Sequence, residues 1–269
     1  VRVLLTNDDG IGAAGLNVMR RALLELPGIE LSVIAPNSNR SAIGRSITTR
    51  SPLWVEEIEF ADGSIGYATD GTPVDCVRFA ALGLVGHEPE LIVSGINHGS
   101  NLGDDITYSG TVAAALEGVV LGVPAVAVSQ QSRRGEMDFR QGDEFDFEPG
   151  AAFAARLVEE IDDVPLPTGS LLNVNCPAGE VRGTRVCHLG KRIYRDRLEL
   201  DEERGARRRY RIYGDDPGYE EGAGTDFAAV AEGLIAVTPL HFDLTDRAGI
   251  EGFDRFDLDR LLAPAAREA

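Results

Sequence analysis

Short apolar runs alternate with segments of helical periodicity along the first two thirds of this chain, and that alternation limits its fold more than any other feature. Residues 1–6, 31–35, 91–94, 124–129 and 171–174 are strand-length runs rich in Val, Leu and Ile, while 16–26, 72–85, 112–121 and 151–161 carry apolar positions at helical spacing. Pro27-Gly28 closes the first helix, Pro36 stops the second strand, and Pro73 sits where a first helical turn tolerates it. Strands joined through helices build right-handed βαβ units and a mostly parallel sheet. The expected class is therefore α/β, with a further hairpin where 53–59 and 64–69 flank Ala61-Asp62-Gly63.

The pattern changes after about residue 180. Residues 182–213 are charged, and the alternation in Arg209-Tyr210-Arg211-Ile212-Tyr213 predicts an extended hairpin arm. A Gly- and acid-rich loop over 214–224, a helix over 226–234, a strand over 235–238 and a last helix over 253–262 complete the expectation. We divide the chain into a core over 1–180, an arm over 181–224 and a segment over 225–269 that returns to the core. An exposed arm with so little apolar content is expected to pair with another subunit. Residues 130–149 are polar and acidic and are expected to form a surface loop.

Charge narrows the function. There are 26 basic against 44 acidic side chains, a net charge of −18 over 269 residues, which argues against binding of polymeric nucleic acid. A small phosphorylated ligand stays open, because one bound cation reverses the field of a pocket. Lys191 is the only lysine. Excess carboxylate with so little lysine resembles a halophile-adapted surface, which predicts stability rising toward molar salt; plain compositional bias gives the same count. With 43% hydrophobic residues the chain is not mostly disordered, and no apolar stretch is long enough to span a membrane. The opening residues carry no signal-peptide pattern, and Cys76, Cys176 and Cys187 form no metal or redox motif, so a reducing cytoplasm is expected.

In an open parallel sheet, ligands bind beyond the carboxyl ends of the strands. The first strand is followed by Thr6-Asn7-Asp8-Asp9-Gly10, two adjacent carboxylates that repel unless a cation lies between them; an exposed Asp-Asp-Gly turn is the plainer reading. Residues 37–46, after the second strand, are dense in hydroxyl, amide and guanidinium groups. After the third comes Ser94-Gly95-Ile96-Asn97-His98-Gly99-Ser100-Asn101, where Asn97 and Asn101 offer neutral oxygens and His98 is read first as a packed loop histidine. Asp104-Asp105 is read as an N-cap or solvated pair. Ser109-Gly110-Thr111 opens a helix and could present amides and hydroxyls to an anion, or act as an ordinary cap. Oxygen ligands without His/Cys clusters favour Mg²⁺ or Mn²⁺, with Ca²⁺ a poorer substitute. Gly10-Ile11-Gly12-Ala13-Ala14-Gly15 matches a dinucleotide fingerprint, yet the second strand ends in Ala35-Pro36-Asn37-Ser38 without the ribose-binding acid, and Asp8 and Asp9 would repel a pyrophosphate. We read it as a turn with close helix packing.

These motifs resemble the SurE (survival protein E) family of metal-dependent nucleotidases. The resemblance rests on Leu5-Thr6-Asn7-Asp8-Asp9-Gly10, Arg40-Ser41-Ala42, Ser46-Ile47-Thr48, Gly71-Thr72-Pro73-Val74-Asp75, Val93-Ser94-Gly95-Ile96-Asn97-His98-Gly99, Tyr108-Ser109-Gly110-Thr111-Val112, Asn173-Val174-Asn175 and Thr238-Pro239-Leu240, in family order. Ile43 and Gln130-Gln131 depart from the family pattern. The resemblance implies a Rossmann-like core with a C-terminal arm that builds homodimers or homotetramers. It also implies one divalent metal ion per subunit held by Asp8, Asp9, Ser41 and Asn97. Nucleoside 5'- and 3'-monophosphates would be the substrates, with short polyphosphate as a further one.

On that basis Asp8, Asp9 and Asn97 are the expected catalytic residues. Asn7, Arg40, Ser109, Gly110 and Thr111 are expected to bind the phosphate, with His98 available for positioning or leaving-group protonation. Water attack on the phosphomonoester is favoured over an aspartyl phosphate, since a carboxylate engaged by metal is a poor nucleophile. A nicotinamide or flavin oxidoreductase and a non-catalytic nucleotide-binding protein are the competing readings.

Overall fold

A computed structural model of the chain describes residues 1–136, 144–212, 217–253 and 256–262. In chain order the elements are β1 (Arg2–Thr6), α1 (Ala14–Leu24), β2 (Glu30–Pro36), β3 (Val55–Glu59), β4 (Ile65–Thr69), α2 (Pro73–Ala81), β5 (Leu91–His98), α3 (Gly110–Val120), β6 (Ala125–Gln130) and α4 (Glu148–Glu159). There follow β7 (Ser170–Cys176), β8 (Gly183–Val186), β9 (Arg192–Ile193), β10 (Glu199–Arg204), β11 (Arg207–Arg211), β12 (Gly218–Tyr219), α5 (Asp226–Ala231), β13 (Leu234–His241) and α6 (Arg247–Phe253).

The main sheet has nine strands in the order β3-β4-β2-β1-β5-β6-β7-β13-β8. From β4 through β7 every neighbouring pair is parallel; β3 and β13 run antiparallel to β4 and β7. This is the Rossmann-like, mostly parallel α/β sheet expected. Alternation along each strand divides the core between two faces. Val3, Leu5 and Val93 pack with Leu16, Met19 and Leu23 of α1 and Ala154 and Val158 of α4. Leu4 and Ile92 face the other way, onto Val77 and Ala80 of α2 and Val112 and Ala115 of α3. Both faces of these strands are covered, which is why they read as unbroken apolar runs rather than alternating ones.

Local signals account for the helix starts. Thr72 accepts from the Asp75 amide while the Asp75 carboxylate accepts from the Thr72 amide, a capping box followed by Pro73. Ser109 caps α3 by accepting from the Val112 amide at 3.1 Å. Gly15 lies so close to the Ile96 carbonyl that a Cβ there would collide with it, so the glycine-rich turn does serve close helix packing.

Several expectations are corrected. The strand expected over 91–94 runs on to His98 after an irregularity between Ser94 and Asn97, so Asn97 and His98 belong to β5 and not to a loop. Helix α2 ends at Ala81, where Gly83 adopts a positive φ. The strand expected over 235–238 is the longer β13. The last helix lies earlier than expected, at Arg247–Phe253, with a 3-10 turn at Asp259–Leu262. Residues 183–186, read as arm, form β8 at the edge of the main sheet, pairing parallel with β13. Beyond them β10 and β11 do form the predicted hairpin, which among the described residues pairs with no other strand. Tyr213 and parts of the 130–149 and 214–224 loops lie outside the described residues. All three cysteines are buried and unpaired, and among the described residues no helix is long and apolar enough to cross a membrane.

Candidate active site at the carboxyl edge of the sheet

The turn after β1 is built from within. Asn7, fully buried, donates from Nδ2 to the Gly10 carbonyl at 3.0 Å and accepts the Gly10 amide on Oδ1 at 3.2 Å. Gly10 takes φ 104°, a conformation that favours glycine. The turn sets Asp8 against the start of α3. Asp8 Oδ1 accepts the Thr111 hydroxyl at 2.6 Å, and a Cβ on Gly110 would stand 2.7 Å from the Asp8 Cβ. The positive amino end of this helix therefore already faces an anion, the protein's own carboxylate.

Asp9 is held from the next strand over. Its Oδ2 accepts the His98 amide at 3.0 Å and lies 2.8 Å from His98 Nδ1. A carboxylate only accepts, so this contact requires the proton on Nδ1. The imidazole is gripped edge-on by Phe145 and Phe147, with ring centroids 5.1 and 4.9 Å away. Asn97 donates Nδ2 to the Gly99 carbonyl at 2.8 Å, which leaves its carboxamide oxygen as an acceptor.

Asp8, Ser41, Asn97, His98 and Ser109 line one cavity of about 330 Å³, together with Ala42, Gly99, Ser100, Asn101, Asp105, Tyr108, Tyr194 and Asp196. That volume suits a small-molecule site. Asp8, Asp105 and Asp196 are three carboxylates in a lining with no lysine or arginine. Asp8, only 3% exposed, has its pKa pushed up to about 6, first by burial and then by the charge of Asp9. Ser100 Oγ, also buried, has no hydrogen-bond partner among the described residues.

This chemistry fits a hard divalent cation. Two carboxylates, a hydroxyl and a carboxamide oxygen are the donors such ions prefer, and a cation would relieve the repulsion that holds the Asp8 pKa up. Among the described residues no three His, Cys, Asp or Glu side chains gather in metal-binding geometry, so any such site needs the neutral oxygens as well.

The structure brings Asp8, Ser41, Asn97 and Ser109 to the cavity, with Asp9 beside it. It gives four of the expected phosphate contacts other neighbours. Asn7 is an internal brace of the turn. Thr111 is fully buried with its hydroxyl on Asp8. Arg40 is absent from the lining; its guanidinium bonds Ser38 Oγ and the carbonyls of Asp70 and Gly71, tying two loops together. Gly110 presents no open anion seat, because Asp8 occupies it. Asp105 is neither cap nor solvated: it is buried, ion-paired with Arg192 and bonded by the Tyr194 hydroxyl at 3.0 Å. Tyr194 and Asp196 were not foreseen. They reach the site only because the arm's root folds back over the 3-10 turn at Gly103–Thr107, and no local pattern announces that.

Asn101 is seated by a buried amide network. Its amide donates to Asn175 Oδ1, its Nδ2 to Ser129 Oγ, and its carbonyl accepts from Asn173 and Asn175. The departure at Gln130-Gln131 is absorbed nearby: Gln130 Nε2 donates to the Pro177 carbonyl and Gln131 Oε1 accepts the Ala178 amide, tying β6 to the end of β7.

Comparison with known proteins agrees with this geometry. The family model described as "Survival protein SurE" matches residues 3–196. A protein of Rubrobacter xylanophilus named 5'-nucleotidase SurE is 51% identical over 267 residues, 97% of this chain and 99% of the relative. One of the same name from Gloeobacter violaceus is 40% identical over 271 residues, covering 99% of both. The crystal structure of the SurE protein from Aquifex aeolicus superposes with a TM-score of 0.77 at 35% identity, covering 98% of this chain and 100% of that one. The chain belongs to the SurE family.

Proposed function

We propose that this chain is a divalent-cation-dependent phosphomonoesterase, a 5'-nucleotidase that hydrolyses nucleoside monophosphates to nucleoside and phosphate. One observation carries the reading: a cavity of nucleotide-accepting size has three carboxylates in its wall, one of them paired with Arg192 behind it, and no lysine or arginine. A phosphate enters such a wall only if a cation balances it. The names of the relatives, 5'-nucleotidase SurE, supply the substrate class.

Asp8, Asp9, Ser41 and Asn97 would hold Mg²⁺ or Mn²⁺, one ion per subunit. When bound, the ion supplies positive charge to the phosphoryl oxygens and makes a water easier to ionise. The protein's own groups do the rest. Thr111 and the start of α3 fix the Asp8 carboxylate; His98 holds Asp9 through both its amide and Nδ1, keeping that nitrogen protonated. Asn97, its amide pinned by Gly99, keeps one oxygen free to accept, and Ser109 lines the same cavity while its hydroxyl caps α3. Pre-set geometry of this kind lowers the barrier because little reorganises as the phosphoryl group transfers.

The β10–β11 hairpin leaves Leu198, Leu200, Tyr210 and Ile212 exposed, which supports its use in a homodimer or homotetramer. Three buried, unpaired thiols suit a reducing cytoplasm. The test is phosphate release from AMP and p-nitrophenyl phosphate with Mn²⁺, with Mg²⁺ and after chelation. Turnover that needs the metal supports the reading; turnover indifferent to a chelator, or none with either ion, overturns it. Light scattering on the full chain, beside a variant with Leu198, Leu200 and Tyr210 changed to Ser, tests the assembly.

A further inference from the structure

Two aromatic side chains line the cavity from unrelated parts of the chain. Tyr108 precedes the cap of α3 and is 56% exposed; Tyr194 comes from the arm's root and is 39% exposed. Tyr194 is not loose. Its hydroxyl donates to Asp105 Oδ1, while Asp105 Oδ2 takes the guanidinium of Arg192, itself lying over the Phe227 ring with 4.6 Å from Cζ to the centroid. The ring is thus oriented before any ligand arrives, by a chain of contacts running back into the core. Ser100 lines the same cavity, with its own Oγ buried and without a hydrogen-bond partner among the described residues.

We propose that Tyr108 and Tyr194 form the nucleobase subsite of this cavity. The inference rests on the nucleotidase reading and extends it. Base stacking on aromatic rings is sequence-tolerant, because every base has a π-face, so the subsite accepts purine and pyrimidine nucleotides and disfavours phosphomonoesters that lack a base. A ring fixed in advance loses little conformational freedom on binding, which favours it over a flexible side chain in the same place.

The experiment compares AMP with ribose 5-phosphate, and adenosine with ribose, on the full-length protein. Tyr194→Ala and Tyr108→Ala are each expected to raise KM for AMP roughly 5- to 100-fold more than KM for ribose 5-phosphate. Tyr194→Phe keeps the ring, loses the bond to Asp105 and should retain most of the preference for AMP. Calorimetric titration of adenosine into wild type should give binding that Tyr194→Ala weakens by a similar factor, with ribose binding undetectable in both. Equal changes for the two substrates, or a wild type that does not prefer AMP, overturn the subsite. So does an alanine variant that alters only the oligomeric state in light scattering, since the rings would then be interface residues. Adenosine binding with no hydrolysis of any phosphomonoester leaves the subsite standing and removes the nucleotidase; metal-dependent hydrolysis blind to the base does the opposite.

Discussion

The carboxyl edge of the sheet and the β10–β11 hairpin are both dense in acidic side chains, and the chain treats them in opposite ways. In the hairpin, Asp201, Glu202 and Glu203 stand in water beside Arg209, Arg204 and Arg208, at 2.6, 2.6 and 3.2 Å. At the sheet edge Asp8 is buried next to Asp9, with no lysine or arginine in the cavity wall. Solvated, paired charges change stability little; desolvated like charges are costly. A fold keeps the second arrangement only where something bound repays it, and that contrast, more than any single motif, separates the functional edge from the appendage.

The contrast can be broken by experiment. The largest effect is expected at the edge: Asp8→Asn or Asp9→Asn should lower metal-dependent phosphate release by roughly a thousandfold, since charge stabilisation of several kcal/mol is lost, and calorimetric titration with Mn²⁺ should show weaker binding. Wild-type turnover in both variants would contradict the site. Next is the joint between the two regions. Asp105→Ala removes a buried carboxylate from Arg192 and should cost roughly 3–5 kcal/mol in denaturant unfolding; a change under about 1 kcal/mol would mean that the pair does not anchor the arm.

A smaller and opposite effect is expected in metal-free protein. The Asp8 pKa is about 6 in the fold against an ordinary 3.8, so its cost to stability is absent below pH 4, grows as the pH rises toward 6 and is complete above. Asp8→Asn should then stabilise the metal-free protein by roughly 1–3 kcal/mol at pH 7 and by nothing at pH 3.5. Urea unfolding at the two pH values checks this, and equal effects at both would refute it. The same substitution would thus abolish activity and strengthen the fold. The smallest effect belongs to the hairpin: Arg208→Ala should shift the unfolding free energy by less than about 1 kcal/mol, and a larger loss would show that its ion pairs are buried in the assembly.

The two regions were unequally legible. The parallel core could be read because its strands are apolar on both faces and its helices announce their starts with Thr72-Pro73 and Ser109. The acidic pair, the loop over 37–46 and Asn97 could be read because each follows or ends a strand on the same sheet edge, while Ser41 stood out within its loop only through the family resemblance. Function failed to separate from support where two roles use the same residue types. Asn7, Arg40 and Thr111 have the groups a phosphate would want, yet a buried turn, two loops and a carboxylate claim them. Asp105 was misjudged because its partners, Arg192 and Tyr194, lie some ninety residues on, at separations of 87 and 89. Strand β8 was hidden because edge strands need little apolar content; its burial alternates between half-buried and exposed.

The family match ends at residue 196, the last residue in the cavity lining, just before the hairpin begins. Arg192 and Tyr194 belong to both: one side of this short stretch grips Asp105 and walls the crevice, and the other leads out to the hairpin. A neighbour seated on that hairpin, as proposed above, would pull on the same few atoms that shape the pocket, so that a drift in companionship between subunits and a drift in taste for ligands would be recorded together in one short stretch of chain.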